Sequence, residues 1–275
     1  MRPLPAMAAL LTAGAVTFSG AGALAGPAAA ATATGSATAT GSATAAHAAT
    51  ARQAEYARFA AAPVKTLKLG ARGEAVVWMQ NRLAGLGYLP GRADGRYGGT
   101  TLAAVWAFQK VNGIRPTSTI TRATWAALER PKAPQVLVKN GRATRAEVNL
   151  TKQIMVLYVD GRPKLISHIS SGSGVPYCET ATWQGRKQRF CGSASTPTGD
   201  FRTTWRRSGW HTSYLGRLYN PIFFNGGIAF HGALSVPLYP ASHGCVRLPM
   251  NVAEVLPGLL GTGVPVHVRG RFHRA

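Results

Sequence analysis

The chain has 275 residues, 46% of them hydrophobic and only 15% charged, which excludes a disordered tail protein and allows one large domain or two modest ones. Asp and Glu total 9 against 31 Lys and Arg, a formal net charge of +22 at pH 7, so the expected partner is a polyanion or an anionic surface. Beyond residue 178 the only carboxylates are Glu179, Asp200 and Glu254, too scattered for the paired acids of a glycosidase.

Residues 1–25 open with Arg2, continue through an apolar run of Ala, Leu, Val and Gly, and end on Ala23-Leu24-Ala25, a small-x-small cleavage pattern. This is expected to be an export signal peptide, with Ala28-Ala29-Ala30 as a second cleavage site. The alternative is a membrane anchor, for which Gly20, Gly22, Gly26 and Pro27 are a poor composition. Residues 26–63 are expected to be a flexible low-complexity linker, in which Ala-Thr-Ala-Thr-Gly-Ser at 31–36 recurs at 37–42 and His47 is solvated. Arg2 is the only charged residue among the first 50, so the basic excess belongs to residues 51–275.

Residues 64–130 carry a helical pattern. Val76, Val77, Gln80, Leu83 and Leu86 recur at steps of three and four, and Gly87 suits a helix stop. A second helix is expected over 101–111, burying Ala104, Val105 and Phe108; a third, capped near Thr121, turns Trp125 and Leu128 inward. Three helices in this length make a small core.

Pro131 and Pro134 end that pattern, and residues 135–270 are predominantly β. Strands are expected at 135–139 and 147–150, and a hairpin of 153–159 with 164–170 around Asp160-Gly161. Next come a long loop, 171–198, strands near 201–205, 227–231 and 264–269, and a helix over 251–260 that Pro257 interrupts near its end. The expected fold is therefore a small all-α three-helix domain followed by a mainly β domain of sandwich or barrel type.

Cys178 and Cys191 stand thirteen positions apart in the long loop, where a disulfide would stiffen a segment without regular structure. Cys245 is left over. An unpaired thiol in an exported chain is either a small buried hydrophobe or a nucleophile. Its neighbours favour the second: Ser242-His243-Gly244-Cys245 follows His231-Gly232 at the end of the apolar Ile228-Ala229-Phe230. A cysteine nucleophile needs a base of near-neutral pKa, and the base needs an orienter. No acid lies within ten residues of His231, so a backbone carbonyl is the simpler orienter, and Gly232 would let one approach. A glycine before the nucleophile also lets successive N–H groups converge on an oxyanion.

Two stretches resemble known families. Leu69-Gly70-x-x-Gly73, Val76-x-x-Met79-Gln80-x-x-Leu83, Leu86-Gly87-Tyr88, Asp94-Gly95-x-Tyr97-Gly98, Phe108-Gln109 and Thr124-Trp125-x-x-Leu128 resemble the three-helix peptidoglycan-binding domain. The match departs at residues 115–120, where that family usually has a second Asp-Gly turn. His231-Gly232 with Ser242-His243-Gly244-Cys245-Val246-Arg247-Leu248 resembles the signature of the L,D-transpeptidase catalytic domain, as do Thr196-Pro197-Thr198-Gly199-x-Phe201 and Asn225-Gly226-Gly227. Ten residues separate His231 from Ser242, short for that pattern, so the loop 233–241 is expected to be trimmed.

The second resemblance implies a peptidoglycan L,D-transpeptidase. Cys245 would attack the bond between the third stem residue and D-alanine, and the thioester would pass to another stem, making a 3-3 cross-link. His231 would be the base, oriented by the Gly232 carbonyl. The amides of His243, Gly244 and Cys245 would form the oxyanion hole, Ser242 and His243 would support the turn, and Arg247 would hold a stem carboxylate. No metal or other cofactor is implied. The partners this resemblance implies are peptidoglycan stem peptides and glycan, with carbapenem-type inhibitors, at an extracytoplasmic, wall-associated site; the basic surface adds anionic wall polymers as an expectation. Nucleic acid is not expected of an exported chain without a nucleic-acid module.

Alternatives remain at this level. Water as acceptor would make an L,D-carboxypeptidase. His231, His243 and Cys245 as zinc ligands would make a metallopeptidase, although their spacing is unusual and no glutamate is placed as base. A non-catalytic wall-binding protein is the third. His168, His211, His267 and His273 read as structural or solvated; Trp183, Trp205, Trp210 and Tyr214 read as packing or as cleft lining; Arg186, Lys187, Arg189, Arg206 and Arg207 read as a solvated basic face.

Overall fold

The computed structural model describes residue 63 and residues 65–272; the expected signal peptide, His47 with the repeats around it, Val64 and His273 lie outside the described residues. Three helices stand where the periodicity places them: α1 (Glu74–Gly85), α2 (Gly99–Asn112) and α3 (Arg122–Glu129). Val76, Met79, Leu83, Val105, Phe108, Trp125 and Leu128 fill the space between them. Thr121 occupies the position before α3 as expected, but its side chain makes no capping hydrogen bond.

Two buried glutamines organise the turns. Gln80 donates to Asp94 Oδ1 and to Thr101 Oγ1, both at 3.0 Å, and accepts from the Gly95 N–H at 3.0 Å, which pins the Asp94-Gly95 turn against α1. Gln109 accepts from the Thr117 N–H at 2.9 Å, so the segment that lacks a second Asp-Gly turn is held by a side chain instead.

The remainder contains β1 (Arg145–Asn149), β2 (Ile154–Val159), β3 (Arg162–His168), β4 (Pro176–Trp183), β5 (Arg186–Ser193), β6 (Gly199–Arg202), β7 (Trp210–Ser213), β8 (Gly216–Asn225), β9 (Ile228–Gly232), β10 (Val246–Leu248), α4 (Met250–Leu259) and β11 (Pro265–Arg269). One sheet has the order β3-β2-β1-β11-β6 and a second β10-β9-β8-β7; β4 and β5 form a separate hairpin. Ala146, Val148, Met155, Leu157 and Leu165 of the first sheet meet Ile222, Phe224, Phe230, Val246 and Leu248 of the second, with Val252 and Leu256 of α4 closing the core. This is the sandwich arrangement expected of two facing sheets.

Three expectations are corrected. Residues 135–139 form no strand: the Leu137 N–H finds its acceptor in Glu147 Oε2 at 2.7 Å, which leaves no ladder to extend. The segment 171–198 contains the β4–β5 hairpin, and its strands escape a hydrophobic-pattern search because hardly any of their residues is buried on either face. Residues 210–213, around His211, form β7, a strand missing from the expected series.

The helical and β regions share one core. Along β2, Met155 and Leu157 point into the sandwich while Ile154, Val156 and Tyr158, with Ile166 of β3, join the helical cluster. The continuous apolar run of β2 is the signature of a strand covered on both faces. The Ile166 N–H bonds to Gly87 O at 2.9 Å, and Asn251 Nδ2 donates to Leu89 O at 2.9 Å. No described helix is long and apolar enough to cross a membrane.

The shared core predicts one cooperative unfolding transition for the described residues. Ile166→Ala should cost about 2–5 kcal/mol and shift the helical circular dichroism and tryptophan emission together in urea. Two separable transitions would contradict the common core.

Candidate active site

β9 and β10 run parallel, with Phe230 beside Val246, His231 beside Arg247 and Gly232 beside Leu248. Side chains alternate along each strand. Phe230, Val246 and Leu248 therefore enter the core, while Cys245, Arg247 and His231 share the opposite face and line one groove of about 920 Å³.

The turn before β10 is held from several sides. The Ser242 N–H donates to Ser171 O at 3.0 Å, the Ser242 hydroxyl donates to Cys245 O, and the Gly244 N–H donates to Ser242 Oγ at 3.0 Å. Thr196 Oγ1 donates to Gly244 O at 2.6 Å and accepts from the Gly172 N–H at 2.8 Å. Gly244 has φ +136°, and a Cβ there would come within 3.0 Å of Ser195 O, so glycine is required. The Gly244 amide is committed to Ser242, which removes one of the three amides expected to converge on an oxyanion.

His231 is buried and its Nδ1–H donates to Gly232 O at 2.9 Å, which fixes the tautomer and leaves Nε2 as an acceptor. Burial pushes the imidazole down to about 4; the Gly232 carbonyl opposes this and Arg247 adds to it. Burial also raises the Cys245 pKa, against the Ala229 backbone and the Arg247 charge. Both shifts favour the neutral form of each group, and the thiol points to Gly227 O at 3.6 Å. Gly232 has a packing reason the sequence did not suggest: a Cβ there would lie 2.8 Å from Ala253 Cβ on α4 and 3.1 Å from Met250 Sδ.

Arg247 is half-buried, and burial lowers its pKa. Among the described residues no carboxylate pairs with it. It is an open cation on the groove floor.

The β4–β5 hairpin is tied to the turn. Cys178 and Cys191 are directly opposed and joined by a disulfide. Glu179 Oε1 lies 2.7 Å from His243 Nε2, and the Tyr177 ring meets the His243 ring edge-on at 4.8 Å. Phe190 stacks on Tyr214 of the β7–β8 turn at 4.1 Å. His243 thus faces the hairpin while His231 Nδ1 is taken by a carbonyl; among the described residues no group of three His, Cys, Asp or Glu is arranged to hold a metal ion. The donor set of the zinc alternative does not converge.

The other histidines are placed elsewhere. His267 pairs with Asp200 at 2.6 Å, and His211 packs edge-on to Trp205. His168 is buried between domains: Lys110 of α2 donates to its Nδ1 at 2.7 Å, and its Nε2–H donates to Val236 O at 2.9 Å. Burial lowers Lys110 to about 7. The helical domain is thereby tied to the loop 233–241.

A model of the L,D-transpeptidase catalytic domain matches residues 143–268, and a model of a peptidoglycan binding domain matches residues 72–128. A solved L,D-transpeptidase from Xylanimonas cellulosilytica DSM 15894 is 37% identical with a TM-score of 0.66, over 74% of this chain and 98% of that one. This chain belongs to the L,D-transpeptidase family. A solved L,D-transpeptidase from Stackebrandtia nassauensis is 25% identical over 75% of this chain and 96% of that one, with a TM-score of 0.41 that adds nothing to the assignment. No match to a curated protein is found.

Within this L,D-transpeptidase-family chain, sequence reasoning missed the contacts of Glu179 and Tyr177, and it marked Thr196 only as part of the Thr196-Pro197-Thr198-Gly199 resemblance, without a role. Glu179 and Tyr177 carried a weaker signal, as polar residues beside Cys178 with Gln184-Gly185 as a turn beyond them.

With burial raising the thiol, the pH midpoint for alkylation of Cys245 by iodoacetamide should lie above that of free cysteine, about 8.5. A midpoint at or below it would mean that the thiolate is already stabilised at rest.

Proposed function

We propose that the protein is an exported, wall-associated peptidoglycan L,D-transpeptidase with Cys245 as nucleophile. The observation that carries this reading is the groove that Cys245, His231 and Arg247 line together, His231 and Arg247 side by side on two parallel strands and Cys245 at the entry to the second, with His231 oriented by Gly232 O. Export is supported by the sequence of residues 1–25, and wall association by the domain match at 72–128.

The thiol proton passes to His231 Nε2 as Sγ attacks the carbonyl that joins the third stem residue to D-alanine. The amides of His243 and Cys245 hold the developing oxyanion, and Ser242 fixes the turn that presents them. His231 returns the proton to the departing D-alanine amine, leaving a thioester. The side-chain amine of a second stem's third residue then attacks, its proton passes through His231 to the thiol, and the 3-3 cross-link is released. Arg247 holds a stem carboxylate. Carbapenem-type inhibitors acylate the same sulfur, and the basic surface attracts anionic wall polymers.

In intact mass spectrometry, the full chain with a disaccharide-tetrapeptide should gain a thioester adduct and release D-alanine. Cys245→Ala should show no adduct and lose at least about a thousandfold in release. Undiminished release by the variant removes the nucleophile assignment, while tripeptide without dimer makes the enzyme a carboxypeptidase. The acid limb of kcat/KM should fall near the His231 value of about 4, because protonation below it removes the base. A pH–rate profile with its acid midpoint at the ordinary imidazole value, about 6.5, would contradict a buried neutral His231.

A further inference from the structure

We infer that Trp205 is a saccharide-stacking platform that holds the amino-sugar end of the muropeptide whose stem reaches Cys245; this rests on the transpeptidase reading. Residues 204–207 lie along the outer edge of β8: the Thr204 N–H bonds to Phe223 O at 2.8 Å, the Phe223 N–H to Trp205 O at 2.9 Å and the Arg207 N–H to Pro221 O at 3.1 Å. Phe223 pairs with Ala229, and carrying the parallel register one residue beyond the Phe230–Val246 pair sets Ala229 level with Cys245, whose thiol the Ala229 backbone reaches. Trp205, Phe223, Ala229 and Cys245 therefore form one transverse row, and the residues of that row that line the groove are Trp205, Phe223 and Cys245. Three inter-strand spacings separate its ends, about 14 Å.

That separation matches the substrate. Three extended residues between the scissile carbonyl and the sugar span about 10–11 Å, and the lactyl ether that joins them to muramic acid extends the reach further. An amino sugar thus arrives at the Trp205 end of the row.

The site has the chemistry for it. Trp205 lies flat on Phe223, with ring centroids 3.7 Å apart and planes 12° apart, yet it is 44% exposed. A large apolar ring held rigidly and left wet suits the C–H face of a pyranose, whose polarised hydrogens meet the negative face of the indole. His211 meets the ring edge-on at 5.9 Å and Arg207 Cζ lies 5.6 Å from its centroid, bringing N–H donors for hydroxyl and acetamido oxygens. Trp210 is more tightly covered: Arg217 lies over its ring at 4.5 Å, against 5.6 Å for Arg207 over Trp205, and Tyr219 packs against it at 5.2 Å.

The test compares disaccharide-tetrapeptide with the free tetrapeptide on the full chain, as kcat/KM and as calorimetric affinity. In Trp205→Ala the ratio of disaccharide-tetrapeptide to tetrapeptide should fall about tenfold by both readouts, and Trp205→Tyr should restore most of it. An unchanged ratio, or equal losses on both ligands, overturns the platform. If the native chain turns over neither ligand, the transpeptidase reading fails, while the affinity ratio still decides the saccharide site.

Discussion

β9 and β10 run parallel, and a parallel pair cannot be closed by a tight turn. The chain must leave Gly232, travel through residues 233–245 and re-enter beside β9. Everything chemical depends on that crossover. It sets His231 beside Arg247, puts Cys245 on their face, and forces the chain to reverse at Gly244, whose φ of +136° no other residue tolerates well. The same turn spends the Gly244 amide on Ser242, so the rigidity that places the thiol takes that amide out of the groove's free donors.

The crossover is not supported by the sandwich alone. Ser171 O receives two amides of the loop, Ser170 Oγ donates to Tyr239 O, and His168 donates to Val236 O. His168 is in turn fixed by Lys110 from the helical domain. The peptidoglycan binding domain and the loop framing the cysteine are thus linked by buried polar contacts, where a missing partner is costly. The two-faced strand β2 makes the same connection in apolar terms. With both of its faces covered, the helical domain is part of the packing of the β3-β2-β1-β11-β6 sheet, which lies opposite the sheet that carries His231 and Arg247.

The β4–β5 hairpin has another logic. It buries little, so its conformation comes from the cross-strand disulfide and from contacts at its ends. Glu179 and Tyr177 grip His243, and Phe190 stacks on Tyr214, giving the groove a roof joined to the turn before Cys245 on one side and to β7–β8 on the other.

Residue order alone marks out the three helices, because their apolar residues repeat at the helical period, and the Asp160-Gly161 hairpin, because its turn residues have few alternatives. It also singles out Cys245 and His231, since an unpaired thiol after Ser-His-Gly and a His-Gly at a strand end form a local chemical pattern. Folding in three dimensions supplies what local pattern does not encode. The β4–β5 strands have no buried face to mark them, Leu137 is bound by a carboxylate rather than by a neighbouring strand, and Gly232 is required by Ala253 and Met250 on α4. The row from Cys245 to Trp205 exists only through pairing across strands distant in sequence. Periodicity reports which face of an element is buried; which residues meet across the groove is fixed by strand register and crossover.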